Sequence, residues 1–259
     1  MEYNVLRADP AGNITLFVFD PVETARRPAL AARLMGMSEL AAEQVGFVCP
    51  AREGGDGRFE MMGGEFCGNA TRAFGMYLAR AKGMTGKNRL LVETSGCDRA
   101  VAVETDADAG TSEAEMPLPQ LVRRVARGDV RGTLVHLGGI AHLVVEGVAP
   151  GEAYFRRAEP LFAELPGLDA YGVIFLADGA MTPLVKVRAT GTLVWEGSCG
   201  SGTLAAAVAQ SEGADGAFAR DYVQPAGTVR ASVTRRGGRV VRAAIGGRVT
   251  LGEMLRIET

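Results

Sequence analysis

Two cysteines stand at the head of segments that read as helix starts. Cys67-Gly68-Asn69-Ala70-Thr71 leads into a stretch where Ala70, Phe74, Tyr77 and Leu78 recur at helical spacing, and Cys199-Gly200-Ser201-Gly202-Thr203 leads into an alanine-rich run. The first N–H groups of a helix are unpaired and carry a positive partial charge. A cysteine placed there has its thiolate stabilised and its pKa lowered. A neighbouring glycine lets a ligand approach the backbone, and the same N–H groups can hold a carboxylate. Each turn therefore offers a reactive sulfur and half of an anion site.

Two such turns facing each other across a cleft suit inversion of a carbon centre, which needs a base on one face and an acid on the other. One cysteine as thiolate removes the α-proton, and the other as thiol protonates the opposite face. The carboxylate held at the helix ends takes up charge as the carbanion forms. A single buried cysteine before a helix is ordinarily a packing residue. Packing does not require the same spaced pattern twice, so the pair Cys67 and Cys199 is assigned to catalysis. Cys49, before Pro50, reads as core, and Cys97 as structural. His136 and His142 could be offered as protease partners, but neither explains two cysteine turns. The cysteine spacing does not fit zinc, no phosphate loop or dinucleotide fingerprint is present, and no lysine has a pyridoxal context. The expectation is no metal and no cofactor.

The elements that must position these turns are mostly strands. Ile14–Phe19 and Gly46–Cys49 read as buried strands, and hairpins are expected at Arg89–Thr94 with Arg99–Glu104 and at Val229–Thr234 with Val240–Ile245. Helices are expected at Ala25–Leu34, with Thr24 as N-cap and Pro28 in its first turn, at Ala70–Lys82 and at Thr203–Gln210. The two cysteines lie 132 residues apart, about half of the 259-residue chain. Weaker matches pair Gly12–Val18 with Gly139–Val145, and Val45–Val48 with Gly172–Phe175. The reading is α+β, in two similar half-domains at 1–120 and 121–259, with the last strands free to return to the first half. The acidic stretch Glu104–Glu115 is the linker candidate. A formal net charge of −2 argues against nucleic acid or an anionic membrane as partner. No apolar run reaches spanning length and the N-terminus does not read as a secretory signal, so a cytoplasmic protein acting on a small molecule is expected. A homodimer is left open.

Glu65-Phe66-Cys67-Gly68-Asn69-Ala70 and Trp195-Glu196-Gly197-Ser198-Cys199-Gly200-Ser201-Gly202 resemble the two cysteine motifs of the diaminopimelate epimerase superfamily, cofactor-independent racemases and epimerases. The resemblance runs from Gly12-Asn13 to beyond Gln224-Pro225. It implies two pseudo-symmetric domains, each a mixed β-sheet or barrel around a central helix, with the active site between them. It further implies that Asn13 and Gln44 bind substrate, that Gly68, Asn69, Gly200 and Ser201 hold the α-carboxylate, that Glu196 contacts the ammonium, and that His142 lies near the site.

The departures bear on the substrate. The Arg that would grip a second carboxylate is replaced by Gly197, and an Asn-rich loop by Met61-Met62-Gly63-Gly64. A distal carboxylate would meet no fixed cation, which disfavours diaminopimelate. The strings Pro10-Ala11-Gly12-Asn13, Glu43–Phe47, Glu65–Thr71, Ser95-Gly96-Cys97, Met116-Pro117 and Trp195–Thr203 are very similar to those of histidine racemases that begin staphylopine-type metallophore synthesis. That similarity implies interconversion of L- and D-histidine, with Glu43 or Glu65 accepting a hydrogen bond from the imidazole. The alternatives are diaminopimelate epimerase, a proline or hydroxyproline enzyme (disfavoured by Asn69, where those carry His), an isomerase of the phenazine type, which lacks the cysteine pair, and a binding module.

Overall fold

Near-continuous apolar runs such as Leu16-Phe17-Val18 and Val173-Ile174-Phe175-Leu176 build strands buried on both faces. In the computed structural model, which describes residues 1–52, 54–177, 179–213 and 215–259, the chain divides into two compact units: Met1–Glu115 with Gly246–Thr259, and Met116–Ile245.

The first unit opens with β1 (Glu2–Asp9) and β2 (Thr15–Val18). Then come α1 (Arg27–Met35), β3 (Gln44–Cys49), β4 (Gly57–Met61), α2 (Gly68–Ala81), β5 (Lys87–Thr94), β6 (Val101–Asp106) and β7 (Thr111–Glu115). β2 pairs antiparallel with β1 and parallel with β3; β4 is antiparallel to β3 and parallel to β5; β6 is antiparallel to β5 and β7. Period-2 alternation assigns the faces. Val5, Leu16, Val18, Val45 and Phe47 pack with Leu30 and Leu34 of α1. Leu6, Ala8 and Phe17 turn the other way, onto α2. There Phe17, Phe59 and Phe74 meet with ring centroids 5.1–5.4 Å apart.

The second unit holds β8 (Leu121–Arg127), β9 (Val130–His136), β10 (Ile140–Glu146), α3 (Glu152–Ala158), β11 (Ala170–Ala177), β12 (Ala180–Val187), β13 (Leu193–Trp195), α4 (Gly200–Gln210), β14 (Gly216–Gln224) and β15 (Gly227–Arg236). β16 (Arg239–Arg248) follows, and β17 (Thr250–Glu258), a strand of the first unit, lies antiparallel on β1. The pairing senses of β1 to β6 recur here: β9–β10 antiparallel, β10–β11 parallel, β11–β12 antiparallel, β12–β14 parallel and β14–β15 antiparallel. Leu143, Val145, Val173 and Phe175 pack with Tyr154 and Phe155 of α3. His142 and Val144, of opposite parity, lie on the other face of β10.

Two local expectations are corrected. Thr24 does not cap α1: it begins a short 3-10 turn, the N-cap is Arg26 with no side-chain cap bond, and Pro28 sits in the first turn, where its missing N–H is harmless. Glu104–Glu115 is not a linker. It is a hairpin of β6 and β7 in register from Val103↔Ala114 to Asp106↔Thr111, with both members of the first pair buried, so its alternation outweighs its acidity.

Candidate active site

Both cysteines are the N-caps of their helices, in extended backbone conformation. The helices therefore begin at the cysteine turns, so α4 starts at Gly200, three residues before the expected Thr203. The local chemistry is duplicated. Cys67 Sγ accepts the N–H of Ala70 at 3.4 Å, and Thr71 Oγ1 donates to the Cys67 carbonyl at 2.8 Å. Cys199 Sγ accepts the N–H of Gly202 at 3.3 Å, and Thr203 Oγ1 donates to the Cys199 carbonyl at 2.6 Å. A thiol in place of the usual Ser or Asp cap keeps a sulfur at the positive end of the helix. Gly202 is needed in the second turn. A Cβ there would lie 2.5 Å from Ile174 Cδ1 and 3.1 Å from Cys199 Sγ.

In the first unit, the structure gathers Asn13, Gln44, Cys67, Gly68 and Asn69. Gln44 Nε2 donates to Asn13 Oδ1 and Thr15 Oγ1, both at 2.8 Å, and Asn13 Nδ2 donates to Glu43 Oε2 at 2.7 Å. Asn13 Oδ1 lies 4.0 Å from Cys67 Sγ. Asn69 is buried, and its Oδ1 accepts from Arg72 Nε at 3.1 Å. The approach to Cys67 is braced from behind by the β5–β6 loop. Ser95 Oγ accepts from the Met61 N–H at 2.9 Å and donates to the Glu65 carbonyl at 2.7 Å. Gly96, at φ +71°, packs so closely that a Cβ would stand 2.4 Å from the Phe66 nitrogen.

In the second unit, the structure gathers His142, Glu196, Cys199, Gly200 and Ser201. Gln224 spans the turn: its Oε1 accepts the Cys199 N–H at 2.7 Å and its Nε2 donates to Thr203 Oγ1 at 2.9 Å. His142 Nε2 lies 2.8 Å from Ser201 Oγ, which lies 3.5 Å from Cys199 Sγ. His142 Nδ1 is buried and without a partner among the described residues. A buried orphan is tolerated better as a lone pair than as an N–H. Nε2–H therefore donates to Ser201 and leaves the serine hydroxyl to donate to the sulfur. Burial pushes the His142 pKa down to about 3, so the ring is neutral.

The expectation of lowered thiol pKa values is overturned. Burial pushes the Cys67 thiol up, against the opposing pull of the Ala70 and Asn69 N–H groups and the Gln44 amide; nearby Glu65 pushes it further. Burial pushes Cys199 up much further, aided by the Glu196 carboxylate and opposed by Ser201 and the Gly202 N–H. The helix-end stabilisation is present in both turns, but losing water costs the thiolate more.

Sequence reasoning missed Gln224, Ser95, Arg72 and the two threonines. The threonines left a signal in the shared Cys-x-x-x-Thr spacing, and Ser95 lies in the Ser95-Gly96-Cys97 string, but neither signal carried a role.

The chain matches the histidine racemase CntK N-terminal domain family over residues 2–254. The chain belongs to this family. It is 31% identical to a histidine racemase of Fusobacterium nucleatum subsp. nucleatum over 212 residues, 77% of each chain. It is 26% identical to a histidine racemase of Staphylococcus aureus over 255 residues, 93% of this chain and 92% of that one. Membership makes the chain an isomerase of the racemase and epimerase type. Among solved structures, a hydroxyproline epimerase from Agrobacterium vitis superposes with a TM-score of 0.65 at 15% identity, covering 99% of this chain and 91% of that one, which shows a shared fold. The expected mixed α+β fold of the diaminopimelate epimerase kind is the one observed.

Proposed function

We propose that the chain interconverts L- and D-histidine by moving one proton at Cα, with Cys67 and Cys199 as the two bases. The observation that carries the mechanism is the duplicated cap: each unit holds one cysteine sulfur at a helix head, with its carbonyl fixed by a threonine four residues on. Histidine is the substrate named for the family and for the relatives from F. nucleatum and S. aureus.

One sulfur, as thiolate, takes the Cα proton, and the Cα–H bonding pair moves onto Cα and its carboxylate. The other, as thiol, gives its proton to the opposite face. Each turnover exchanges the protonation states of the two sulfurs, and the reverse reaction exchanges them back. Both proton steps use the chain's own thiols, so the scheme needs no cofactor. Asn69, Ser201 and the N–H groups of Gly68 and Gly200 would hold the α-carboxylate, and Glu196 the ammonium. Bringing an ammonium into the site adds positive charge beside a buried thiolate. For the imidazole, Glu43 is favoured over Glu65, because Glu43 is already tied to Asn13. If so, Glu43→Gln raises KM for histidine several-fold and Glu65→Gln does not; the opposite ranking would reverse the assignment.

A cytoplasmic location suits the four free thiols. Among the described residues no helix is long and apolar enough to cross a membrane. The place of D-histidine as a metallophore precursor belongs to the same proposal and is tested by whether deletion of the gene abolishes metallophore production.

The test is incubation in D₂O with L-histidine, L-proline or diaminopimelate, following α-proton exchange by NMR and optical rotation. Exchange and inversion of histidine are expected. Exchange of diaminopimelate with histidine inert would overturn the substrate. Cys67→Ser and Cys199→Ser should each abolish inversion, and full racemisation by either would overturn the two-base scheme.

A further inference from the structure

Arg72 is fully buried, the largest side chain so placed among the described residues. Burying a guanidinium is costly and ordinarily calls for a carboxylate partner. Here every hydrogen bond recorded for it goes to a neutral oxygen. Nε donates to Asn69 Oδ1 at 3.1 Å, Nη2 to the Pro10 carbonyl at 2.8 Å, and Nη1 to the carbonyls of Gly247 and Arg248 at 3.2 and 3.1 Å. Its own carbonyl accepts from Ser112 Oγ at 2.9 Å. The fork thus reaches in three directions: to the first turn of α2, to the residue before the Ala11-Gly12-Asn13 turn, and to the end of β16. Those contacts cover two of the elements to which substrate contacts were assigned.

The chemistry of the Asn69 contact is specific. A guanidinium only donates, so it fixes the amide with its oxygen inward and its NH₂ edge available to donate elsewhere. That is the orientation a bound carboxylate requires; a flipped amide would present it with an acceptor. We propose that Arg72 is a positioning residue of the Cys67 half of the site: it locks Asn69 donor-outward, anchors the Asn13 turn to the head of α2, and supplies a buried positive charge that favours the anionic form of the Cys67 sulfur and of the substrate. Arg72 lies five residues along the helix that Cys67 caps, and the Cys67 sulfur and the Asp9 carboxylate both hold its guanidinium charged against burial. This inference rests on the reading of Cys67 as an acid–base group for an amino acid.

The test uses the full chain with Arg72→Met and Arg72→Lys. The first readout needs no substrate. In a Cys49→Ser, Cys97→Ser, Cys199→Ser background, iodoacetamide alkylation of Cys67 is followed against pH. Arg72→Met should slow alkylation about tenfold at a given pH and move the profile about one unit higher, while Arg72→Lys, which keeps the charge, should stay within about threefold. The second readout is α-proton exchange of histidine in the otherwise native chain. Lys has one point of attachment in place of a planar fork, so Arg72→Lys should lower kcat/KM at least about tenfold, chiefly through KM. Equal alkylation profiles for the parent, Arg72→Met and Arg72→Lys in folded protein would overturn the electrostatic role. Wild-type kcat/KM in Arg72→Lys would overturn the positioning role. Should Arg72→Met fail to fold, Arg72→Lys carries both tests: alkylation slowed as much as tenfold despite the retained charge would refute the charge argument. A parent chain inactive on histidine would sink the functional reading alone, because the alkylation result stands without it.

Discussion

Replacing His142 by Gln keeps a donor of similar reach toward Ser201 and removes the one buried imidazole that faces Cys199. The ring pKa is about 3 in the folded protein and 6.5 ordinarily. A folded value below the unfolded one means stability is fully present above pH 6.5 and is lost as pH falls from there toward 3, because the unfolded chain takes up a proton that the folded chain refuses. The whole separation corresponds to about 5 kcal/mol. Integrating the linkage relation over the part accessible before carboxylates titrate, from pH 7.5 down to pH 5, gives a loss of about 2 kcal/mol. The assay is urea unfolding at those two pH values, read by the fluorescence of Trp195, the single tryptophan, which lies in the same unit as His142. The parent should lose about 2 kcal/mol more than His142→Gln between them. An equal loss in both proteins, or a His142 ring resonance that titrates near pH 6.5 in folded protein, would refute the buried neutral histidine and with it the hydrogen-bond direction from His142 through Ser201 to the sulfur.

Two further outcomes follow from the site. Gly96→Ala forces a left-handed φ on a residue with a Cβ and sets that carbon 2.4 Å from the Phe66 nitrogen, so unfolding stability should fall by about 2 kcal/mol or more and Cys67 should be displaced; an unchanged urea midpoint would show that the loop does not brace the turn. Both thiols have raised pKa values, so in the unliganded protein Cys67 and Cys199 should alkylate more slowly than free cysteine at pH 8, Cys199 the slower. The same shifts mean that stability held below pH 9 declines as pH rises beyond it toward the folded pKa values. Alkylation of either thiol as fast as free cysteine would contradict this.

The parts of the site that depend on neighbours in sequence were legible. A cysteine followed by glycine and, four residues on, threonine specifies its own cap, because every group involved lies within one turn of helix. The strands β2, β3, β5 and β6 were legible for a similar reason: alternation and flanking turn residues are local. Glu104–Glu115 reads as a linker from its acidic composition, whereas the buried alternation of Val103 and Thr105 on β6 and of Ser112 and Ala114 on β7 makes it a hairpin.

What the sequence by itself determined is where the reactive sulfurs sit and which helices they begin, since capping is settled by residues three and four positions away. Only the tertiary structure decided how those sulfurs behave. The direction of their pKa shifts turns on burial, which no local motif encodes, and burial outweighs the helix-end charge in both turns. The partners that hold the turns also come from distant segments: Gln224 from β14 onto Cys199, Ser95 onto Glu65, and Arg72 onto Pro10 and the end of β16. Those contacts exist because packed strands bring backbone carbonyls and amides beside the helix heads, where a polar side chain satisfies them.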